Sequence, residues 1–398
     1  MKKTIYLCNL IFLCMNGWAQ IVDSENWRLV LDENFAGNRS WDFGSFKEQS
    51  SDVPFQQHWE CMLSEHWPYY VTTDENSHQA FQPNNTRFDS VNIMKLQAEL
   101  ISTTPLSCSD EDYLIPNDAC CSYQTNDIYY PPHPSIYYYS GALGTSECLG
   151  WFGYYEMKCQ LPSFEGVHTA FWLYGANENY EEIDIFEHCF NDCSNDIERG
   201  CSCGVWFNQN GTNYFGNDLN DGASKVTECK WLLQPGDMLS REHVYGMEWM
   251  PDRITWYVDG QVVHEYTDAA NIPQHPLKLR VTHPVKTDAY NQGVGNQIVP
   301  KWEHSDPVVI HYIHYYRLIS DCDTDASIHN SNEWVNLTSG VKHSITIGSS
   351  TGINVPTETN KVLMASGSIT ITSDGGFTIP QGAQATFMIH ECIENNDY

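Results

Sequence analysis

The stretch Glu181-Glu182-Ile183-Asp184-Ile185-Phe186-Glu187 constrains this chain more than any other. Carboxylates alternate with Ile and Phe there, which is the mark of a strand with one polar and one apolar face. Glu182 and Asp184 are two apart and share a face. Glu187 is five from Glu182, which in a regular strand puts it on the opposite face. One extra residue in a β-bulge corrects the parity and returns Glu187 to the side of Glu182 and Asp184.

Distance sets what such a face can do. With the bulge, Glu182 and Glu187 lie about four strand steps apart, roughly 13 Å between Cα atoms at ~3.3 Å per step. Each side chain leans about 4 Å inward, which leaves roughly 5 Å between carboxyl groups, the separation of a retaining glycosidase pair. The rival pair Glu181 and Glu187 shares a face only without a bulge, and its six steps leave roughly 12 Å, too far to flank one bond. The plain alternative is a polar strand face in an acidic protein.

The neighbouring runs weigh against that alternative. Gly153-Tyr-Tyr-Glu-Met-Lys-Cys-Gln-Leu-Pro162 and Gly166-Val-His-Thr-Ala-Phe-Trp-Leu-Tyr174 precede Glu182-Ile-Asp-Ile-Phe-Glu187. Together the three runs resemble glycoside hydrolase family 16, and the likeness extends over roughly residues 26–319. The resemblance implies a bent antiparallel β-sandwich of the concanavalin A-like jelly-roll type. It implies hydrolysis of a β-linked glucan or galactan with retained configuration. Residue by residue, it makes Glu182 the nucleophile, Asp184 its helper and Glu187 the acid/base. Glu187 would stay protonated because the nearby negative Glu182 and Asp184 raise a carboxyl pKa.

Within 166–175, His168, Ala170, Trp172 and Tyr174 share one face and Val167, Thr169, Phe171 and Leu173 the other. The resemblance places Trp172 in the cleft beside the nucleophile, where a flat ring suits a pyranose face. His168 and Tyr174 are the further candidate substrate contacts. Family members often carry Trp-Pro where this chain has His168-Thr169, so subsite detail departs from the pattern. Residues 243–263 match the family closely and read as scaffold: two strands joined at Pro251-Asp252, then a tight turn at Asp259-Gly260. Residues 277–285 read as a further strand, with Arg280 and His283 of unassigned role. Residues 26–35 and 308–317 resemble the first and closing strands. Many members have Asp where this chain has His311, an Asp that helps hold a structural calcium. Calcium wants hard oxygen ligands, so His311 disfavours that site. The chemistry itself needs no metal and no cofactor.

Residues 1–19 form a basic start at Lys2-Lys3, an apolar core and a Gly17-Trp18-Ala19 end, which is the pattern of a signal peptide. The expectation is a secreted or cell-surface protein, with no apolar stretch long enough to span a membrane. There are 51 acidic residues against 20 basic, a net charge of −31, so nucleic acid and anionic surfaces are poor partners. Fifteen cysteines occur. In an exported chain these imply disulfides, foremost ones bracing the loop that holds Cys189, Cys193, Cys201 and Cys203. The 101–140 insertion, rich in Cys, Pro and Tyr, reads as a long rim loop.

The domain expectation is a signal peptide at 1–19, a catalytic domain at 20–321 and a small β-rich module at 322–398, whose short alternating runs fall at 343–348, 368–372 and 384–389. The functional expectation is a monomeric retaining endo-β-glycosidase with an open groove. Scarcity of basic residues favours a neutral 1,3- or 1,3-1,4-β-glucan. The competing readings are a marine galactan hydrolase (agar, porphyran or carrageenan), a non-catalytic carbohydrate-binding protein on the same fold, and a structural surface protein.

Overall fold

The computed structural model describes residues 27–389 apart from 38, 43–46, 51–58, 62–78, 90–91, 102–123, 126–127, 130–136, 146–147, 150–151, 163–165, 176–180, 190–199, 208–223, 269–270, 274, 286–289, 293–297, 319–320, 337–340, 357–359, 373–375 and 382. The signal-peptide reading and most of the 101–140 insertion lie outside these residues.

Two antiparallel sheets face each other. The first contains, edge to edge, Gln261–Tyr266, Ile254–Val258, His243–Trp249, Gly153–Gln160, Val308–Leu318, Ile93–Leu96 and Thr86–Asp89, with Trp27–Glu33 also paired to Val308–Leu318. The second runs Ser224–Leu232, Gly200–Phe207, Glu181–Cys189, His168–Tyr174, Lys278–Thr282, Ala142–Thr145, Trp59–Glu60, Lys47–Ser50 and Arg39–Asp42. The first and closing strands expected at 26–35 and 308–317 are thus hydrogen-bonded neighbours.

Alternation explains the packing. Phe171, Leu173, Ile183, Phe186 and Val205 point inward from the second sheet. They share one core with Met157, Tyr245, Met247, Trp256 and Ile313 of the first. The residues between them are left for the outer face. Both tight turns read from the sequence are present. Met250 N–H donates to the Arg253 carbonyl around Pro251-Asp252. Asp259 and Gly260 hold φ of 48° and 77°, the positive values that a two-residue hairpin turn with right-handed twist needs.

The C-terminal part is built differently. Asp321–Ile328, Val341–Ile347, Asn360–Ile371 and Gln384–Ile389 form one all-parallel sheet. Ile353–Asn354 and Phe377–Thr378 form a second, also parallel, pair. Like residues stack coil upon coil: Ile328 on Ile347, and Ile345 on Ile369. A short helix, Ser331–Asn336, starts with the Asn330 side chain accepting from Glu333 N–H and donating back to the Glu333 carboxylate. It delivers Trp334, fully buried, into a core with Ile347, Ile353 and Leu363. A separate small cluster of Met250, Val341 and Met364, with Trp27 against it, joins this stack to the sandwich.

The expected disulfides are not formed among six described cysteines. Cys61, Cys148, Cys159, Cys201, Cys203 and Cys229 are thiols in this structure. Cys201 and Cys203 belong to a core-facing strand and not to a loop, and both are buried. The side chain of Cys189, and Cys193 altogether, lie outside the described residues.

Candidate active site

The bulge sits at Ile185. Along His168–Tyr174, Tyr174 faces Glu182, Trp172 faces Asp184, Phe171 faces Phe186 and Ala170 faces Glu187. One step on that strand spans two on the carboxylate strand, with Ile185 skipped. The other neighbour agrees: Gly204 faces Asp184 and Ser202 faces Glu187, two steps against three. Directly opposed residues share a side of the sheet. Tyr174, Trp172 and Ala170 alternate regularly, so Glu182, Asp184 and Glu187 all project to their face. Ile183 and Phe186 project to the core. Glu182 and Glu187 are partly exposed, while Asp184 between them is 2% exposed.

Register turns the carboxylate column into rows across the sheet. One row holds Glu182, Tyr174 and Lys278. The next holds Gly204, Asp184, Trp172, Arg280 and Gly144. The third holds Ser202, Glu187, Ala170, Thr282 and Ala142. Trp172 packs on Phe81 and Ala142 and meets Tyr174 edge-on, with ring centroids 5.6 Å apart. The Arg280 guanidinium lies 5.8 Å from the Trp172 ring centre and 5.3 Å from that of Tyr174. Both cations are nearly buried, Lys278 at 5% and Arg280 at 6%. Sequence reading singles out Arg280 as a basic residue of unassigned role but not Lys278, and both lie about a hundred positions from the carboxylates along the chain. Their only signal was the alternation Lys278-Leu279-Arg280-Val281-Thr282, which puts the two cations on one face.

His168 does more than line the face. Its Nε2 lies 3.2 Å from Glu187 Oε1, outside hydrogen-bond geometry but in close electrostatic contact. Behind it, Thr169 Oγ1 bonds His283 Nδ1 at 2.9 Å, and His283 Nε2 bonds Ser305 Oγ at 3.0 Å. Hydroxyls can donate or accept, so this pair suits a neutral imidazole in either tautomer. Burial, with the nearby His188 and His168 adding to it, pushes His283 down to about 3. Glu181 takes the other side of the strand. It is 2% exposed, and its carboxylate meets His275 Nδ1 at 3.0 Å, which removes it from the row.

The scaffold reading of 243–263 missed one residue. Trp256 reaches through the core from the opposite sheet, and its indole N–H donates to the Asp184 carbonyl at 2.8 Å. A bulge frees ladder groups, and a buried carbonyl left bare is costly. Trp256 satisfies one at Asp184 itself.

The family-implied calcium does not fit the groups at His311. Its Nε2 stands 3.4 Å from Glu242 Oε1, and Glu242 Oε2 takes the Lys158 ammonium at 2.6 Å. An imidazole and an ammonium already attend the only carboxylate of that set, which is no nest for a hard cation.

The register thus sets Glu182 and Glu187 on one face about four strand steps apart, roughly 13 Å between Cα atoms, a spacing that suits a pair of glycosidase carboxylates. Sequence comparison agrees: residues 117–303 match Glycosyl hydrolases family 16. That match takes in the carboxylate strand and the two strands on one side of it, His168–Tyr174 and Lys278–Thr282. It is 30% identical over 138 residues to the kappa-carrageenase of Pseudoalteromonas carrageenovora, covering 32% of this chain and 34% of that one. It is 32% identical over 146 residues to a beta-glucanase of Acetivibrio thermocellus, covering 36% of each. The chain thus spans about a third of the length of these two curated relatives. The X-ray structure of an endo-beta-1,3-glucanase from Pyrococcus furiosus aligns with a TM-score of 0.47 and 21% identity, over 74% of this chain and 95% of that one.

Proposed function

We propose that this protein is an exported, retaining endo-β-glycosidase. The bulge at Ile185 carries the reading, because it alone sets Glu182 and Glu187 on one face at a spacing of about four strand steps, ~13 Å between Cα atoms. Glu182 attacks the anomeric carbon and forms a glycosyl-enzyme, while Glu187 gives its proton to the leaving oxygen. Glu187 then takes a proton from the water that releases the sugar. Asp184 orients Glu182, Trp172 and Tyr174 offer ring faces to sugars, and His168 holds the Glu187 carboxyl in place. A binding protein on this fold has no use for a nucleophile and an acid so arranged.

The substrate is a 1,3- or 1,3-1,4-β-glucan. The excess of acid over base in the chain and the similarity to a beta-glucanase support this. One observation favours a second reading. Lys278 and Arg280 stand two strands from the carboxylates on the same face. Sulfate binds guanidinium and ammonium groups, so a sulfated galactan would find two cations there. The relative named kappa-carrageenase adds weight to that reading.

Release of reducing ends from laminarin, mixed-linkage glucan, agarose and carrageenan tests both readings at once. Cleavage of either glucan with early mixed oligosaccharides and a product of retained configuration is expected. Cleavage of carrageenan alone would select the second reading, and binding without cleavage of any polymer would overturn the enzymatic one.

A further inference from the structure

We propose that Cys203 and Cys229 are a disulfide site, which an external low-molecular-weight disulfide closes across the hairpin beside the carboxylate strand. Cys203 lies on Gly200–Phe207 and Cys229 on Ser224–Leu232, and the two are direct partners in the antiparallel register. Opposed residues in such a pair have Cα atoms about 4.5–5.5 Å apart, with side chains on one side of the sheet. A disulfide asks for about 4.4–6.8 Å between Cα atoms. The two thiols already meet as hydrogen-bonding neighbours. Among the described cysteines, no other two oppose each other in a ladder: Cys201 faces Trp231, and Cys159 faces His243 and Ile310.

The environment fixes the order of events. Cys203 is 1% exposed, and its contact with Cys229, then burial, hold its thiol far above the usual range. Cys229 is partly exposed, with Sγ 3.8 Å from the Val263 carbonyl oxygen. Cys229 therefore reacts first, as the thiolate is the nucleophile and access decides its rate. Its sulfur attacks one sulfur of the oxidant, and one thiol leaves. Cys203 then loses its proton to water and attacks Cys229 Sγ, expelling the second thiol of the mixed disulfide. One S–S bond forms in the protein and one breaks in the oxidant, with two electrons and two protons carried away on the two released thiols.

The cross-link has a structural purpose. Ser224–Leu232 is the edge strand of its sheet, and edges are where sheets open first. Its hairpin partner supplies Gly204 opposite Asp184 and Ser202 opposite Glu187. Covalent closure ties the edge to the strand that borders the carboxylates and shortens the unfolded chain's freedom.

The test uses the full chain, reduced with dithiothreitol, then oxidised with oxidised glutathione, alkylated and digested. Mass spectrometry should find the Cys203 and Cys229 peptides linked, and reduction of the oxidised protein should lower Tm by about 5 °C. A Cys203→Ser/Cys229→Ser double variant should show no such reductant-dependent drop at this hairpin. Should that variant fail to fold, the peptide map of the wild-type chain decides alone. Both cysteines alkylated after oxidation, or either one linked elsewhere, overturns the proposal.

Discussion

At the scale of single residues, the roles of Glu182 and Glu187 separate by stereochemistry. Under the proposed roles Glu182→Gly removes the nucleophile, so azide must attack the substrate directly, and one displacement inverts configuration. Glu187→Gly leaves the glycosyl-enzyme intact, so azide makes the second displacement and configuration is retained. Each variant should lose at least about 10³-fold in kcat without azide. Swapped outcomes, read by NMR of the glycosyl azide, would exchange the two assignments. His283 gives a prediction of a different kind. Its pKa is pushed down to about 3, below the ordinary value of 6.5, so the unfolded chain binds a proton the folded one refuses. The stability tied to its neutral form is complete above pH 6.5 and is lost as pH falls from there toward 3. His283→Gln keeps polar reach to Thr169 and Ser305 but cannot titrate. Urea midpoints between pH 7 and pH 4 should therefore fall more steeply for wild type than for the variant. Parallel slopes would show that His283 does not control this window.

At the scale of elements, the bulge depends on both sheets. Trp256→Phe keeps most of the ring volume but strips the Asp184 carbonyl of its donor. A buried acceptor left unsatisfied costs about 1–3 kcal/mol. Because that carbonyl belongs to Asp184, the proposed helper, kcat should fall about tenfold while KM changes little. A rise in KM with kcat unchanged would place the effect in binding. The bulge itself was legible because parity is strict in a strand: Glu182 and Glu187 share a face only if one residue is skipped, and the structure skips Ile185. Its anchor was not, since Trp256 reads as ordinary core alternation and the contact crosses 72 residues of sequence. Lys278 was hidden for the same reason, and Arg280 was legible only as a basic residue without a place relative to the carboxylates. A sequence scan finds no basic residue near Glu182, whereas the sheet brings Lys278 and Arg280 into adjoining rows. Strand direction after Cys322 was equally invisible, because alternation is the same in parallel and antiparallel sheets and only the pairing distinguishes them.

At the scale of the whole molecule, the parallel stack docks on the sheet that lacks the carboxylates. Trp27 opens a strand of the first sheet, and Met250 lies in the turn between two others of that sheet. Val341 and Met364 of the stack close on them, each 5% exposed or less. The carboxylate column projects from the outer face of the second sheet, so this docking contact leaves that face alone. The stack has its own core around Trp334, Ile345 and Leu363 and does not borrow the sandwich core. Met364→Asp tests this arrangement. A carboxylate in that small apolar cluster meets no partner among its members, and an unpaired buried charge costs several kcal/mol, enough to part the contact. Proteolysis between Leu318 and Asp321 should then quicken. Rates on a soluble polysaccharide should stay within about twofold, because sites that share no partners act independently. A loss of about tenfold or more with the sandwich still folded would mean that the stack takes part in catalysis or in binding the chain being cut. The carboxylate sheet and the sheet that carries the stack would then not act independently.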